Sequence, residues 1–173
     1  MDTGLPASAA EWIALGEQHL AARQVGEAAA CYERAVQLAP KVWNYRARLG
    51  RLCMASRQFD AAEIELRQAC ELKPDLPDLF TLLASALREQ NKAEAAIAVL
   101  DRALEIDPGN MHAAIAQALM IPPIYSDSED LQRWRARFDS GLARLRARIP
   151  MWLADPQAIL DLEWTNFRLA YQG

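Results

Sequence analysis

The side chains best suited to catalysis or metal binding are few in this sequence and poorly spaced for either task. His112 has no cysteine or acidic partner at the spacing of metal ligands. Glu63 and Glu65 are two residues apart on a predicted helix, so they point to different faces. A glycine-rich phosphate loop and a nucleophile elbow are both absent from the sequence. We therefore expect no active site, no metal and no cofactor in this chain.

Three cysteines, Cys31, Cys53 and Cys70, form an odd set without a Cys-x-x-Cys pair. All three fall inside predicted helices, where a cysteine behaves as a small apolar side chain. Free thiols are typical of a reducing compartment. The first residues also lack the basic and apolar regions of a secretory signal. We therefore expect buried, unpaired thiols and a cytoplasmic location.

Arginines carry the clearest potential for binding. Arg48 and Arg51 are three residues apart on a predicted helix, so both can reach one anionic group. Six arginines and one aspartate between Leu131 and Ile149 give that segment a net charge of +5. A solvated polar face is the favoured interpretation of this segment, and an anionic surface or a following domain are alternatives. The net charge of −4 for the whole chain argues against a nucleic-acid partner.

The composition indicates that helices must position these groups. The chain has 173 residues, 52% hydrophobic and 24% charged, which fits one folded domain or a short repeat array. Glycine is sparse and alanine abundant, which favours helices over strands. No apolar run approaches the roughly 18 residues that span a bilayer, so we expect no membrane segment.

A repeat with a period of 34 residues organises the chain, marked by Pro40, Pro74 and Pro108. Each unit contains two apolar periodicities at helical spacing, separated by a short polar break. The same residue types recur before each proline: Gly16, Gly50 and Ala84; Ala28, Ala62 and Ala96; Tyr32, Leu66 and Leu100; Ala35, Ala69 and Ala103. The small residues allow the paired helices to approach closely, and the large ones fill the space between neighbours. One such hairpin cannot bury its apolar face alone, so the units must stack.

The first unit reads Trp12-x-x-Leu15-Gly16-x-x-His19, then Ala28-x-x-x-Tyr32, then Pro40. This pattern resembles the tetratricopeptide repeat, whose consensus it shares. The resemblance implies an all-α fold, a right-handed superhelix of antiparallel helix pairs. It also gives His19 a packing role at a consensus aromatic position. We expect a lead at 1–8, units at 9–42, 43–76 and 77–110, and a helical cap at 111–173.

The same resemblance implies that the first helix of each unit lines a concave groove that binds a protein or peptide. The predicted groove positions are Ile13, Glu17, Leu20, Asn44, Ala47, Arg48, Arg51, Met54, Asp78, Thr81, Ser85 and Arg88. Arg48 and Arg51 would take acidic groups there, while Leu20 and Met54 would give apolar contact. Alternatively, Glu17 pairs with Arg51, because the two occupy the same position in adjacent units; a partly satisfied arginine can still bind a peptide carboxylate.

Two groove chemistries known in this repeat family are absent from the sequence. One is a lysine and asparagine clamp for the carboxylates of chaperone tails. The positions that match this clamp hold Ile13, Glu17, Arg48, Asp78 and Leu82. The other is an asparagine ladder that grips an extended peptide backbone. Its positions hold Ala14, Arg48 and Leu82.

The tail departs from the repeat. Residues 111–118 read as the first helix of a fourth unit, which Pro122-Pro123 ends. Residues 126–130 supply a hydroxyl acceptor and acidic side chains for the start of a helix over about 128–148, which Pro150 closes. Its apolar stripe holds Leu131, Trp134, Phe138, Leu142, Leu145 and Ile149. Asp155-Pro156 opens a last helix, which carries Ile159, Leu160, Trp164 and Phe167.

Two segments of the tail carry a second resemblance. Residues 121–142, with Ile121-Pro122-Pro123-Ile124-Tyr125 and Trp134-Arg135-Ala136-Arg137-Phe138, resemble a connecting region in bacterial SPINDLY-type relatives of O-linked N-acetylglucosamine transferase. Residues 165–173 are similar to the entry of their catalytic region. This resemblance implies a non-catalytic module at the N-terminus of such an enzyme, recruiting its acceptor protein. The alternatives are an independent adaptor and a module that dimerises through its C-terminal aromatic residues, among them Trp152, Trp164, Phe167 and Tyr171.

Overall fold

The computed structural model describes residues 6–153, which contain eight α-helices and no strand. The expected all-α fold is therefore confirmed. The helices are α1 (Ala9–Ala21), α2 (Val25–Leu38), α3 (Trp43–Ala55), α4 (Phe59–Leu72), α5 (Pro77–Glu89), α6 (Ala93–Ile106), α7 (Met111–Leu119) and α8 (Ser128–Leu153). They divide between two compact units that meet in sequence at Pro108 and Gly109. The first unit contains the pairs α1/α2, α3/α4 and α5/α6, and the second contains α7 and α8.

The turn inside each pair of the first unit has the same backbone geometry. Arg23, Arg57 and Asn91 each adopt a φ of about +60° directly after a first helix. The amide of each donates to a carbonyl three residues back, and the following amide donates to one five residues back. This is a Schellman motif, which satisfies carbonyls that the helix end leaves unpaired. The motif reverses the chain in three residues, so the second helix folds back against the first.

Close contact between the two helices of a pair depends on a small residue on the first helix. A Cβ added at Gly16 would lie 2.5 Å from Tyr32 Cε1, and one added at Gly50 would lie 2.7 Å from Leu66 Cγ. Real Cβ contacts are longer than this, so a side chain at either glycine would push the helices apart. In the third pair the corresponding residue is Ala84, which is itself buried. The predicted roles of the small and large repeat positions are thus visible in the contacts.

The core of the first unit consists of the repeated alanines and the large residues between them. Ala28, Ala62 and Ala96 are completely inaccessible to solvent, as are Leu66 and Leu100. No charged side chain, and no Ser, Thr, Asn, Gln or His side chain, is fully buried in residues 6–153. Burial of apolar surface is therefore the main stabilising interaction of the stack.

The three cysteines belong to this core. All are free and buried. Burial raises the pKa of each thiol above its usual value, and for Cys70 it raises the pKa to about 11. The thiolate is the reactive form, so the raised pKa slows the reactions of these side chains at neutral pH.

In the second unit, Arg137 of α8 joins the two helices. Its guanidinium donates to the carbonyls of Gln117 and Met120 at the end of α7, at 2.5 and 3.1 Å. It also lies 5.7 Å from the ring centre of the buried Trp134. Arg144 donates to the Gln117 side chain at 3.2 Å. Part of the arginine pattern on this segment therefore serves internal packing.

Both ends of α8 differ from the sequence prediction. The acceptor at its start is not a hydroxyl but the Asp127 carboxylate, which accepts from the Asp130 amide at 2.8 Å. The helix also continues through Pro150 to Leu153. Pro150 lies in the last turn, where the amide that it lacks removes only one hydrogen bond, so the helix ends three residues later. The predicted last helix and residues 165–173 lie outside the described residues.

No helix in residues 6–153 combines the length and the apolar character that crossing a membrane requires.

Replacing Leu66 with alanine tests the contribution of the pair contact. Leu66 is completely buried against Gly50, so Leu66→Ala should lower the free energy of unfolding by about 2–5 kcal/mol. The matched control is Ile64→Ala on the same helix, where the side chain is 56% exposed and the loss should stay below about 1 kcal/mol. Urea unfolding followed by circular dichroism measures both. Equal losses for the two variants would contradict this account of the core.

The cysteines predict slow thiol chemistry in the folded chain. Native protein should react with Ellman's reagent at least about 100-fold more slowly than an exposed thiol, because burial hinders access and suppresses the thiolate. Addition of concentrated guanidinium chloride should release all three thiols at once. A full equivalent of thiol reacting within seconds in the native protein would show that one cysteine is exposed.

Candidate functional site

The first unit contains a cavity of about 580 Å³ between its first helices. Residues from α1, α3 and the start of α5 form its walls, and one residue of α2 contributes. The lining residues are Leu20, Tyr32, Trp43, Asn44, Ala47, Arg48, Arg51, Leu52, Ala55, Leu76, Asp78 and Leu79. Most of this surface is apolar, and two arginines and one aspartate provide the charges.

Helix α3 supplies most of the cavity because one of its faces points into it. Its lining residues after Trp43 follow the helical spacing of three, four, seven, eight and eleven residues from Asn44 to Ala55. Residues at these intervals lie on one side of a helix. The opposite side of α3 carries Leu49, Gly50 and Cys53, which are buried. The pair contact at Gly50 therefore also fixes which face of α3 is presented to the cavity.

Six of the twelve predicted groove residues line this cavity: Leu20, Asn44, Ala47, Arg48, Arg51 and Asp78. A seventh, Glu17, is connected to it through an ion pair with Arg48. Ile13 differs from the expectation of an exposed position, because it is only 7% exposed and belongs to the core. Met54 is half-buried and does not line the cavity.

The three remaining predicted residues on α5 do not reach the cavity. The Thr81 hydroxyl donates to the carbonyl of Asp78 at 2.8 Å, and the Ser85 hydroxyl donates to the carbonyl of Thr81 at 3.0 Å. Arg88 pairs with its neighbour Glu89 at 3.0 Å. Each of these groups is engaged with its own helix.

Six lining residues were not predicted from the sequence: Tyr32, Trp43, Leu52, Ala55, Leu76 and Leu79. Leu52 and Ala55 continue the helical spacing from Asn44, so that spacing carried a usable signal. Tyr32 is the single contribution of a second helix, and its match to a packing position concealed its role. Leu76 precedes α5 and is exposed to the cavity only because the turn before that helix brings it there.

Arg48 is the partner of Glu17. Its guanidinium Nη1 reaches from α3 to the Glu17 carboxylate on α1. The alternative pairing considered from the sequence joins Glu17 to Arg51, which holds the equivalent position of the next unit. Arg51 instead is exposed and makes no ion pair or hydrogen bond within residues 6–153. The structure thus exchanges the roles of the two arginines.

Arg48 also faces Tyr32 and the interior of the cavity. Burial raises the pKa of the Tyr32 phenol, and hydrogen bonding to Arg48 together with the Arg48 charge opposes part of that rise. The Nε atom of Arg48 is buried and has no hydrogen-bond partner. Buried polar atoms normally have a partner, so this atom is an unsatisfied donor beside the cavity.

Neither histidine lines the cavity. His19 is half-buried, and its Nδ1 lies 2.8 Å from Gln24 Oε1, across the turn between α1 and α2. His112 is exposed on α7. Within the described part of the chain, no three His, Cys, Asp or Glu side chains gather closely enough to hold a metal ion.

Comparison with known proteins identifies the repeat. Two family models, both described as tetratricopeptide repeat, match residues 13–77 and 77–120. Among curated protein sequences nothing matches.

Several solved structures share the fold. The first tetratricopeptide repeat domain of Spaghetti (RPAP3), bound to the HSP90 peptide SRMEEVD, is 20% identical with a TM-score of 0.59, covering 64% of this chain and 87% of that one. MamA is 17% identical with a TM-score of 0.64, covering 82% and 81%. The Arabidopsis OM64 repeat domain is 19% identical with a TM-score of 0.57, covering 63% and 90%.

Proposed function

The chain belongs to the tetratricopeptide repeat family, and on that premise we propose that it is a non-catalytic module that binds a peptide segment of a partner protein in the cavity between α1, α3 and α5. We further propose that residues 9–42, 43–76 and 77–110 are its three repeats, since each range contains one helix pair. The observation that carries the proposed function is the cavity itself. Its volume of about 580 Å³ is within the range of ligand-binding pockets, roughly 300–1,000 Å³.

The walls of the cavity define the peptide that fits. Leu20, Leu52 and Leu79 offer apolar contact to a large side chain of the ligand. Arg51 offers a guanidinium that makes no ion pair within residues 6–153. The peptide that we propose therefore carries an apolar side chain next to an acidic group.

The Spaghetti domain supports peptide binding as a use of this fold, because its structure contains a bound HSP90 peptide. That peptide is not the ligand we propose for this chain. The positions that match the lysine and asparagine clamp for chaperone tails hold Ile13, Glu17, Arg48, Asp78 and Leu82. A different acidic peptide is the better fit.

The partners and location that we propose follow from the chemistry of the chain. The net charge of −4 favours a protein over a nucleic acid as the partner. Three free thiols fit the reducing conditions of the cytoplasm, and we propose that location.

Filling the cavity should weaken peptide binding. Ala55 is exposed at the end of α3 and lines the cavity, so Ala55→Arg would obstruct it without disturbing the core. Twelve-residue peptides are first selected from a random phage library on the wild-type chain. Fluorescence anisotropy should then show at least a roughly tenfold weaker affinity for the Ala55→Arg variant, because its side chain occupies the ligand volume.

The control is Ala30→Arg, the same substitution at an exposed position of α2 that does not line the cavity. It should leave the affinity within about twofold of the wild type, since it adds the same charge elsewhere. Peptides that bind both variants alike would overturn the proposed function, and so would a selection that yields no binder.

We also propose a larger context, the N-terminal part of a bacterial SPINDLY-like glycosyltransferase whose acceptor protein binds in the groove. The motifs at 121–142 and 165–173 support it. The native coding region downstream of codon 173 should then continue into a long α/β domain. A stop codon at that point would contradict this context and favour an independent adaptor.

Dimerisation is the alternative function, in which the C-terminal aromatic residues pair with a second copy or cover a following domain. Of these residues, Trp152 is half-buried in the structure, and Trp164, Phe167 and Tyr171 lie outside the described residues. Light scattering at several concentrations tests dimerisation, and a monomer throughout would eliminate it.

A further inference from the structure

We infer that the cavity contains a carboxylate subsite, formed by Arg48 and Arg51, that the chain's own Glu17 partly occupies. An acidic group of the ligand must then displace Glu17 from Arg48 in order to bind. This inference rests on the proposed function, because it concerns the same cavity. It makes Glu17 an internal competitor that sets how strongly an acidic peptide binds.

The ion pair between Glu17 and Arg48 has the properties of a displaceable contact. It joins the side chains of α1 and α3, which are the first helices of two adjacent pairs. The Arg48 side chain is 37% exposed and the Glu17 side chain 50% exposed, so water screens their attraction. A ligand that competes with such a pair loses at most about fivefold in affinity.

The arginines retain donors that Glu17 does not use. A guanidinium has five N–H donors in a planar fork. Arg48 Nη1 donates to Glu17 and the side chain also interacts with the Tyr32 hydroxyl, while the buried Nε has no partner. Arg51 follows one helical turn later, lines the same cavity and is wholly unpaired in residues 6–153. A single incoming carboxylate can therefore be held by both arginines, whereas Glu17 pairs with Arg48 alone.

The walls of the cavity favour the ligand carboxylate over Glu17. Tyr32, Leu52 and Leu76 line the same cavity as the two arginines. Charge-assisted hydrogen bonds strengthen as the local dielectric falls. A ligand that fills the cavity excludes more water than the half-exposed Glu17 side chain does. The ligand carboxylate therefore binds the arginines more tightly than Glu17 does.

Replacing Glu17 with glutamine should strengthen the binding of an acidic peptide. Glu17→Gln keeps the size of the side chain but removes the competing charge and its repulsion of the ligand. The probe is the tightest twelve-residue peptide from the phage selection, labelled with fluorescein. We expect about three- to fivefold tighter binding by anisotropy. Arg51→Ala should weaken the same peptide by about tenfold or more, because it removes the unpaired cation.

Two controls isolate the subsite. Glu33→Gln makes the same change of charge at an exposed position of α2 that does not line the cavity, and it should leave the affinity within about twofold of the wild type. In the peptide, each carboxylate is replaced in turn by its amide, including the C-terminal one. One of these replacements should abolish the gain in affinity that Glu17→Gln produces. That replacement identifies which carboxylate of the peptide, a side chain or the C-terminus, binds the arginines.

The outcomes separate this inference from the proposed function. Suppose that Ala55→Arg weakens peptide binding but Glu17→Gln does not strengthen it. The cavity then binds peptides, but the inference that Glu17 competes with the ligand is wrong. The same conclusion follows if no selected peptide contains a carboxylate that contributes to binding. If Ala55→Arg does not block the peptide, the proposed function itself is wrong.

Discussion

The close approach of the two helices in each pair is the constraint on which the rest of the first unit depends. It requires a residue without a large side chain at Gly16 and Gly50, because Tyr32 and Leu66 occupy the space where a Cβ would lie. When the helices of a pair are in contact, the face of the first helix that remains uncovered is fixed. Those uncovered faces form the walls of the cavity, so its shape follows from the packing behind it.

Much of this fold can be predicted from the sequence, because repeat positions report on local packing. Completely buried residues such as Ala62 and Leu100 recur every 34 residues, and their spacing is enough to predict the helix pairs. The left-handed backbone at Arg57 is not predictable in this way. Arginine has no preference for a positive φ, and only the asparagine at the equivalent position 91 gives a hint. The Schellman hydrogen bonds impose that conformation, and they arise from the helix end rather than from the side chain.

The candidate site is less predictable, because it depends on how neighbouring units are displaced. A period of 34 identifies equivalent residues, but equivalent residues are not always the nearest ones. Asn44 on α3 and Leu20 on α1 both line the cavity, and spacing within a helix is enough to predict which face such residues share. Ile13 lies on α1 with Leu20 but belongs to the core, where the contact between helices decides its exposure. The spacing of residues in the sequence indicates which of them lie on the same face of a helix. The packing of the neighbouring helix pairs decides which residues that face contacts.

The pairing of Glu17 shows this displacement most clearly. Its sequence equivalent is Arg51, but its partner is Arg48, one helical turn nearer to the start of α3. If equivalent residues of α1 and α3 were nearest neighbours, Glu17 would neutralise Arg51, and the exposed cavity wall would carry no unpaired cation. The Glu17 carboxylate instead pairs with Arg48, and no ion pair joins it to Arg51. The unpaired cation in the cavity is thus a consequence of how the helix pairs stack. For that reason, a change in the stacking contacts would alter the binding of an acidic ligand even when every lining residue was kept.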